Sequence, residues 1–442
     1  MEKVQVYKFG GASVKDAAAI LNLCRIVRDF GPQGPLVIVV SAMGKTTNAL
    51  EEIYDLAYRG ENWGQQAERL MTYHQQACVE LANLISTINL PQAQEQLRQL
   101  FEALTEELHY MEHVRKPETY DQGYDQIVSY GERFSTLLAG TALVHFFPAN
   151  GVRHAPAQVM IKTDSSWREG RVNWSATEWN TTQAVQGLLG KGAKVLITEG
   201  FMGSTPAEGN LPGGSLLYTT LGREGSDYTA AILAYCLRAE SVTIWKDVAG
   251  LLNADPKIFP DTVRYPEISY RETIEMAYYG ASVIHPKTLK PLAERNIPLR
   301  VKSFLDPEAP GTLIHDCQHP ALAPAYIRKT DQCLLSFSSK DFAFISEQNL
   351  EVIFGALAQA KLKINVMQNS AISFSVCTDF SERRVNQLLD TLRAQFTLHY
   401  NTGLTLFTIK NYDAASVAAL TAGKRLLLEQ RTRNTFQFVC TT

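Results

Sequence analysis

Several charged residues of this chain have the type and spacing that phosphoryl or carboxylate chemistry needs. The stretch "YKFGGAS", Tyr7 to Ser13, ends an alternating apolar run with Lys8 and follows it with Gly10 and Gly11. A turn without Cβ atoms lets an anion approach backbone N–H groups, and the start of the next helix adds a favourable partial charge. Lys8 at that strand end can reach a transferred phosphoryl group, although the same turn also serves as plain architecture. A second cluster, "TTLGREGSDYTA", packs Arg223, Glu224, Ser226 and Asp227 into a loop that feeds a helix. Ser226 or Asp227 would make an ordinary N-cap. Arg223 is not explained that way: a cation gains nothing from the N-terminal end of a helix, whereas a guanidinium there suits a carboxylate-bearing substrate.

Two further segments carry weaker signals. In "WKDVAGLLNADPKIFPD" a buried strand ends at Lys246-Asp247, and a turn-rich loop follows with Lys257, which also reads as a solvated surface charge. In "SYGERFS" Glu132 opens or lies within a helix, where a lone glutamate ordinarily faces water. The segment "VVSAMGKTTN" contains Gly-Lys-Thr, the ending of a phosphate-binding P-loop, but the first glycine of that pattern falls on Val39 inside a strand. It reads as a strand ending in a loop that opens the next helix.

These residues must be held by a chain of 442 residues, long enough for two or three domains. The seven cysteines are widely spaced with no C-x-x-C pair, which argues for a reducing compartment and against a protein-built metal centre. A formal charge of −3 with dispersed lysines and arginines offers no stripe for nucleic acid. No run of about 18 apolar residues would span a membrane, and no export signal opens the chain. The expected setting is cytoplasmic and the expected partner a small molecule or a second copy.

Residues Val4 to Lys8, the helical stripe Ile20, Leu23, Cys24 and Val27, and the apolar run "PLVIVV" form a βαβ unit with parallel strands. From Leu50 to about Phe147 the chain reads as mostly helical, and strands return at "AKVLIT" and "SVTIW". The predicted class is α/β, a mostly parallel sheet sandwiched by helices, with ligands at the carboxyl ends of the strands. After a linker at His315 to Pro324, alternating strands and the stripe Val385, Leu388, Leu389, Leu392 and Phe396 predict an α+β module of order βαββα with a short further strand. A second module follows, read as strand "LTLFTI", helix Asp413 to Gln430 and strand "TFQFVC".

Taken together, "KFGGAS", "SAM" with Thr47 and Asn48, "GERFST", "TTLGREGSD", "KDVAGLLNADP" and "GASVIHPKTL" occur in the order found in aspartate kinases, and the chain resembles that family. The tail is similar to the ACT domains those enzymes carry. The resemblance implies an amino-acid kinase catalytic domain over 1–315, an ACT-like domain over 325–400 and a second, shortened one over 401–442. It implies ATP and Mg²⁺ as cofactors and transfer of the γ-phosphate to the β-carboxylate of L-aspartate, giving 4-phospho-L-aspartate, the first step of lysine, threonine and methionine biosynthesis. It further implies feedback control by an amino acid such as lysine or threonine, and a homodimer joined through the ACT-like domains.

Carried over by position, the resemblance places Lys8 on the nucleotide phosphates with Gly10 and Gly11 supplying backbone contacts, and makes Asp227 the essential acid of the active centre. Ser41, Thr47, Glu132, Arg223 and Ser226 would hold aspartate; Lys246, Asp247, Lys257 and Ser282 would line the nucleotide. The chain departs from the family pattern at Ala12, Glu224, Lys246, Leu252, Lys257 and Ser282; the lysine at 246 would replace a cation lost at 282, and Leu252 removes a ring able to stack on adenine. The other readings are a non-catalytic amino-acid sensor built on the ACT-like tail, and a related kinase acting on glutamate, N-acetylglutamate or a nucleoside monophosphate. Glu132 with Arg223 suits a free amino acid with two carboxylates better than a nucleotide.

Overall fold

The computed structural model describes residues 3–114, 116–147, 151–206, 216–281, 284–318, 322–340 and 343–441. They divide into two compact units: Met1–Leu251, Pro266–Tyr270 and Ile284–Cys317 form the first, and Leu252–Tyr265, Arg271–Val283 and Gln318–Thr442 the second.

The first unit begins β1 (Gln5–Phe9), α1 (Ala17–Phe30), β2 (Leu36–Val40), α2 (Thr46–Arg59), α3 (Gly64–Leu84), α4 (Leu90–His113), α5 (Tyr120–Val128) and α6 (Tyr130–Leu143). It continues with β3 (Val152–His154), α7 (Ala157–Met160), α8 (Trp174–Leu189), β4 (Val195–Glu199), β5 (Met202–Pro206), β6 (Leu216–Thr220), α9 (Gly225–Leu237), β7 (Ser241–Lys246) and β8 (Glu267–Ser269). After α10 (Tyr270–Tyr279), whose residues beyond Tyr270 belong to the second unit, the first unit resumes with α11 (Pro286–Glu294), β9 (Leu299–Ser303) and β10 (Thr312–His315). Eight strands form one sheet in the order β3-β4-β2-β1-β7-β9-β10-β8, parallel except for the β9–β10 pair. β2 is buried at all five positions, as its unbroken apolar run predicts. The predicted helical stretch is α2 to α6; α2 closes on Gly60 in the left-handed region (φ 74°), and Pro91 stands in the first turn of α4, where its missing N–H costs nothing.

Because β1 lies between β2 and β7, chain direction across the sheet reverses at β1, and its carboxyl end opens a crevice. Phe9 is in register with Val40 on one side and Trp245 on the other, and the Phe9 and Trp245 rings stack at 6.0 Å. Side chains alternate along a strand, so Lys8 and Lys246 point to the sheet face opposite those rings.

The second unit carries a six-stranded antiparallel sheet built from β11 (Ala325–Ser339), β12 (Ile364–Asn369), β13 (Ser373–Asp379), β14 (Phe396–Lys410), β15 (Leu426–Arg431) and β16 (Thr435–Thr441). Its helices are α12 (Glu347–Gln359), α13 (Glu382–Leu392) and α14 (Ala414–Thr421). The strand order β12-β13-β11-β14-β16-β15 makes one continuous sheet, with register shifts between β11 and β14 near Gln332. The second half of β11 pairs with β13, while its first half, Ala325 to Lys329, pairs with Lys410 to Leu406 beside β16. The C-terminal βαβ stretch thereby acquires a strand from far upstream. One sequence expectation is corrected here: Asp413 to Gln430 is not a single helix. Gly423 turns left-handed (φ 69°) after α14, and Leu426 to Arg431 form β15 with Leu428 buried opposite Val439.

Candidate active site

A cavity of about 620 Å³ in the first unit opens where β1, β2 and β7 end, lined by Lys8, Gly11, Ser41, Thr47, Glu132, Arg223, Ser226, Asp227 and Lys246. Nine residues named from the sequence thus share one hollow. Lys8 Nζ lies 2.6 Å from Asp227 Oδ1, and Lys246 Nζ lies 3.5 Å from Asp227 Oδ2. Asp227 occupies the first turn of α9, a helix apolar nearly all round, whose N-terminus favours a carboxylate. Burial alone would push its carboxyl up, but the Lys8 and Lys246 ammonium groups outweigh it and hold Asp227 below the usual carboxylate range. Neither Ser226 nor Asp227 caps α9. The N-cap position is Glu224, left-handed at φ 52°, and its carboxylate instead accepts the His285 backbone N–H at 3.0 Å.

Glu132 is not a solvent-facing glutamate. It is 3 % exposed in the first turn of α6, its Oε1 accepts the Ala42 N–H at 3.2 Å, and among the described residues its buried Oε2 meets no hydrogen-bond donor. Burial pushes its carboxyl up to about 8, against the Ala42 hydrogen bond and the Lys8 charge that pull it down. A buried carboxylate oxygen without a donor is costly, and a cationic ligand would remove that cost. Arg223 is exposed at the rim and makes no ion pair among the described residues.

The loop after β2 shapes this cavity in place of a P-loop. Ser41 N–H donates to Phe9 O and Gly44 N–H to Gly11 O, stitching it to the turn after β1. A Cβ on Gly11 would stand 2.8 Å from the Ala42 carbonyl oxygen, so the glycine is required by the close approach of two backbones. Lys45 is exposed and does not line the cavity.

The remaining sequence candidates lie elsewhere. Gly10 and Asp247 do not line the cavity, although a Cβ on Gly10 would stand 3.4 Å from Lys8 Nζ. Lys257 is exposed in the second unit, and Ser282 lies outside the described residues. Sequence reasoning missed Arg168, Tyr124, Glu51 and Thr220, which also line the hollow. Asp125, fully buried in α5, organises two of them: its oxygens accept from Arg168 N–H, Thr220 N–H at 2.9 Å and Thr220 Oγ1 at 2.7 Å, while the Tyr124 hydroxyl donates to Glu51. Burial pushes the Asp125 carboxyl up to about 6 despite the bonds it accepts. The sequence of α5, which carries Asp121, Gln122, Asp125 and Gln126, held no local signal that Gly123 to Val128 are all buried and Asp125 with them.

Residues 3–303 match the amino acid kinase family, which covers the whole crevice just described. The chain belongs to that family. It is 31 % identical over 380 residues to the lysine-sensitive aspartokinase 3 of Escherichia coli, spanning 86 % of this chain and 79 % of that one. It is 28 % identical over 396 residues to the chloroplastic aspartokinase 3 of Arabidopsis thaliana, spanning 85 % and 65 %. Among solved structures it is similar to E. coli aspartokinase III in complex with aspartate and ADP (TM-score 0.79) and with lysine and aspartate (TM-score 0.78). Each is 26 % identical and covers 99 % of this chain and 96 % of the other. Within the amino acid kinase family, then, this chain groups with the aspartokinases. None of its seven cysteines is bridged, and no helix among the described residues is long and apolar enough to cross a membrane.

Proposed function

We propose that the chain transfers the γ-phosphoryl group of ATP to the β-carboxylate of L-aspartate, giving 4-phospho-L-aspartate. The observation that carries this reading is one cavity holding a cation pair around Asp227, a buried Glu132 carboxyl oxygen and the Arg223 guanidinium, the last two without a hydrogen-bond or ion-pair partner, respectively, among the described residues. That set matches an amino acid with two carboxylates beside a polyphosphate. Arg223 takes a carboxylate by two parallel hydrogen bonds, and Glu132 takes the α-ammonium group, which supplies the donor its Oε2 needs. The attacking carboxylate is already ionised at neutral pH and needs no general base, so positioning and charge neutralisation do the work.

Lys8 swings from Asp227 to the phosphoryl oxygens as charge spreads in the transition state, and Lys246 keeps Asp227 ionised meanwhile. Among the described residues no group of three or more His, Cys, Asp or Glu could hold a metal ion unaided, which fits Mg²⁺ arriving on the ATP phosphates and needing one or two carboxylates. Asp227 is the carboxylate beside the phosphate-binding lysines, and the ion would supply further neutralisation there. The domain division at 315 and within the antiparallel sheet, a homodimer through the ACT-like region, control by lysine or threonine, and a cytoplasmic setting complete the proposal. Formation of an acyl phosphate, trapped as the hydroxamate by hydroxylamine, tests it: product should require ATP and aspartate, and glutamate should not substitute. Hydroxamate from glutamate alone, or none at all, would overturn the reading; added lysine or threonine should lower the yield.

A further inference from the structure

A second cavity, of about 850 Å³, lies between α4, α6 and the β3–β4 edge of the same unit, and nothing in the kinase reading uses it. Its chemistry is specific. The Arg133 guanidinium is held over the Tyr130 ring at 4.1 Å and the Tyr218 ring at 5.3 Å, and among the described residues it makes no ion pair. The Tyr130 hydroxyl donates to Glu107 Oε2 at 3.1 Å and Arg133 bonds to Tyr130, so Glu107 balances part of the guanidinium charge from behind the ring, and the rest of the hydrogen-bonding fork is left to an anion in the cavity. Glu199 is the one carboxylate in the lining and both its oxygens are engaged, Oε1 with His154 Nε2 at 2.6 Å and Oε2 with the Ala157 N–H at 2.9 Å. Thr136 is 4 % exposed, lines the cavity and has a hydroxyl with no partner among the described residues. Beside these polar groups the lining is also apolar, with Leu100 from α4 and Leu137 and Val144 along α6.

We infer that this cavity binds a small monocarboxylate with an apolar body, its carboxylate on Arg133 and the Thr136 hydroxyl and its body against the aliphatic wall. The volume falls within the range of small-molecule sites. An unpaired guanidinium selects an anion, and the apolar wall selects against one that is charged throughout. The site also abuts the first cavity through shared elements. Glu132 and Arg133 are consecutive on α6 and face different hollows, and on β6 Thr220 lines the first while Tyr218 lines the second. A ligand here therefore bears on the helix and strand that position the aspartate site, a consequence that rests on the proposed kinase activity.

Calorimetry on the full chain with 4-methylpentanoate as probe, and 4-methylpentanamide as its neutral counterpart, tests the site without needing turnover. The carboxylate should bind, the amide at least tenfold more weakly, and saturating aspartate should shift the probe's Kd only by the reciprocal coupling, about fivefold, without abolishing binding. Arg133→Met, which keeps the stem between the rings, should weaken binding tenfold or more; Thr141→Trp, filling the hollow from α6, should abolish it if Arg133→Met fails to fold. With the probe bound, the KM for aspartate should move about fivefold. Absence of binding, competition with aspartate, or unaltered binding in folded Arg133→Met would overturn the site, and an unmoved KM would overturn the coupling. A Thr141→Trp variant that splits an oligomer while the wild type ignores the probe would make this face a subunit contact instead, and would also overturn the proposal.

Discussion

Lys8 Nζ stands 2.6 Å from Asp227 Oδ1, and both side chains line the cavity at the carboxyl end of β1. The pair joins the first strand of the unit to the first turn of α9, so the lysine is held at the crevice before any nucleotide arrives. If Lys8 neutralises the transferred group, Lys8→Met should lower kcat by about 10²-fold or more while the protein stays folded. Steady-state kinetics check this, and an unchanged kcat would remove Lys8 from the reaction.

Glu132 predicts a pH signature. Its carboxyl is raised by burial to about 8, so the unliganded folded state binds a proton that the unfolded chain, near 4.5, has released. Stability contributed by the protonated form is present below about 4.5 and is lost as pH rises through about 8. Binding an ammonium group needs the carboxylate, so the KM for aspartate should fall as pH rises towards 8. Glu132→Gln should flatten both profiles and raise the KM about tenfold or more. Thermal melts and KM measured across pH 5 to about 9 read the two effects.

Arg223 makes no ion pair among the described residues and stands at the rim of the cavity, placed for two-point recognition of a carboxylate. Arg223→Lys should raise the KM for aspartate about tenfold with a smaller change in kcat, because a point cation cannot copy the fork. Unaltered KM would leave Arg223 without a role in binding.

Gly11 and Asp125 act through the backbone. Gly11→Ala forces a Cβ to 2.8 Å from the Ala42 carbonyl oxygen, which should cost about 1–3 kcal/mol and part the two loops that frame the cavity. Asp125→Asn places an amide donor against the N–H groups of Arg168 and Thr220, with a similar loss of about 1–3 kcal/mol. Denaturant unfolding gives both values, and each variant should also raise the KM for aspartate.

Much of this architecture was legible because its signals are local. The unbroken apolar run of β2 marks a strand buried on both faces, and the glycine turn after β1 follows from the conformational limits of the residues that form it. The cluster around Asp227 was legible because its members are close in sequence or match ordered motifs. What escaped depends on distant partners. The burial of Glu132 needs Ala42 from another loop, and Arg168 enters the cavity only because Asp125 on α5 receives its backbone N–H. The strand β15 escaped because three consecutive leucines fit either period, and Gly423 with the pairing to β16 decided between them.

The account's central claim is that one hollow gathers the acceptor and the terminal phosphoryl group. A crystal structure of the protein with L-aspartate and a non-hydrolysable ATP analogue tests it most directly. The account predicts the Arg223 guanidinium on an aspartate carboxylate, the α-ammonium on Glu132 Oε2, and Lys8 Nζ on γ-phosphoryl oxygens, all in the same cavity. Aspartate and nucleotide in separate cavities, with Lys8 still paired to Asp227, would contradict it.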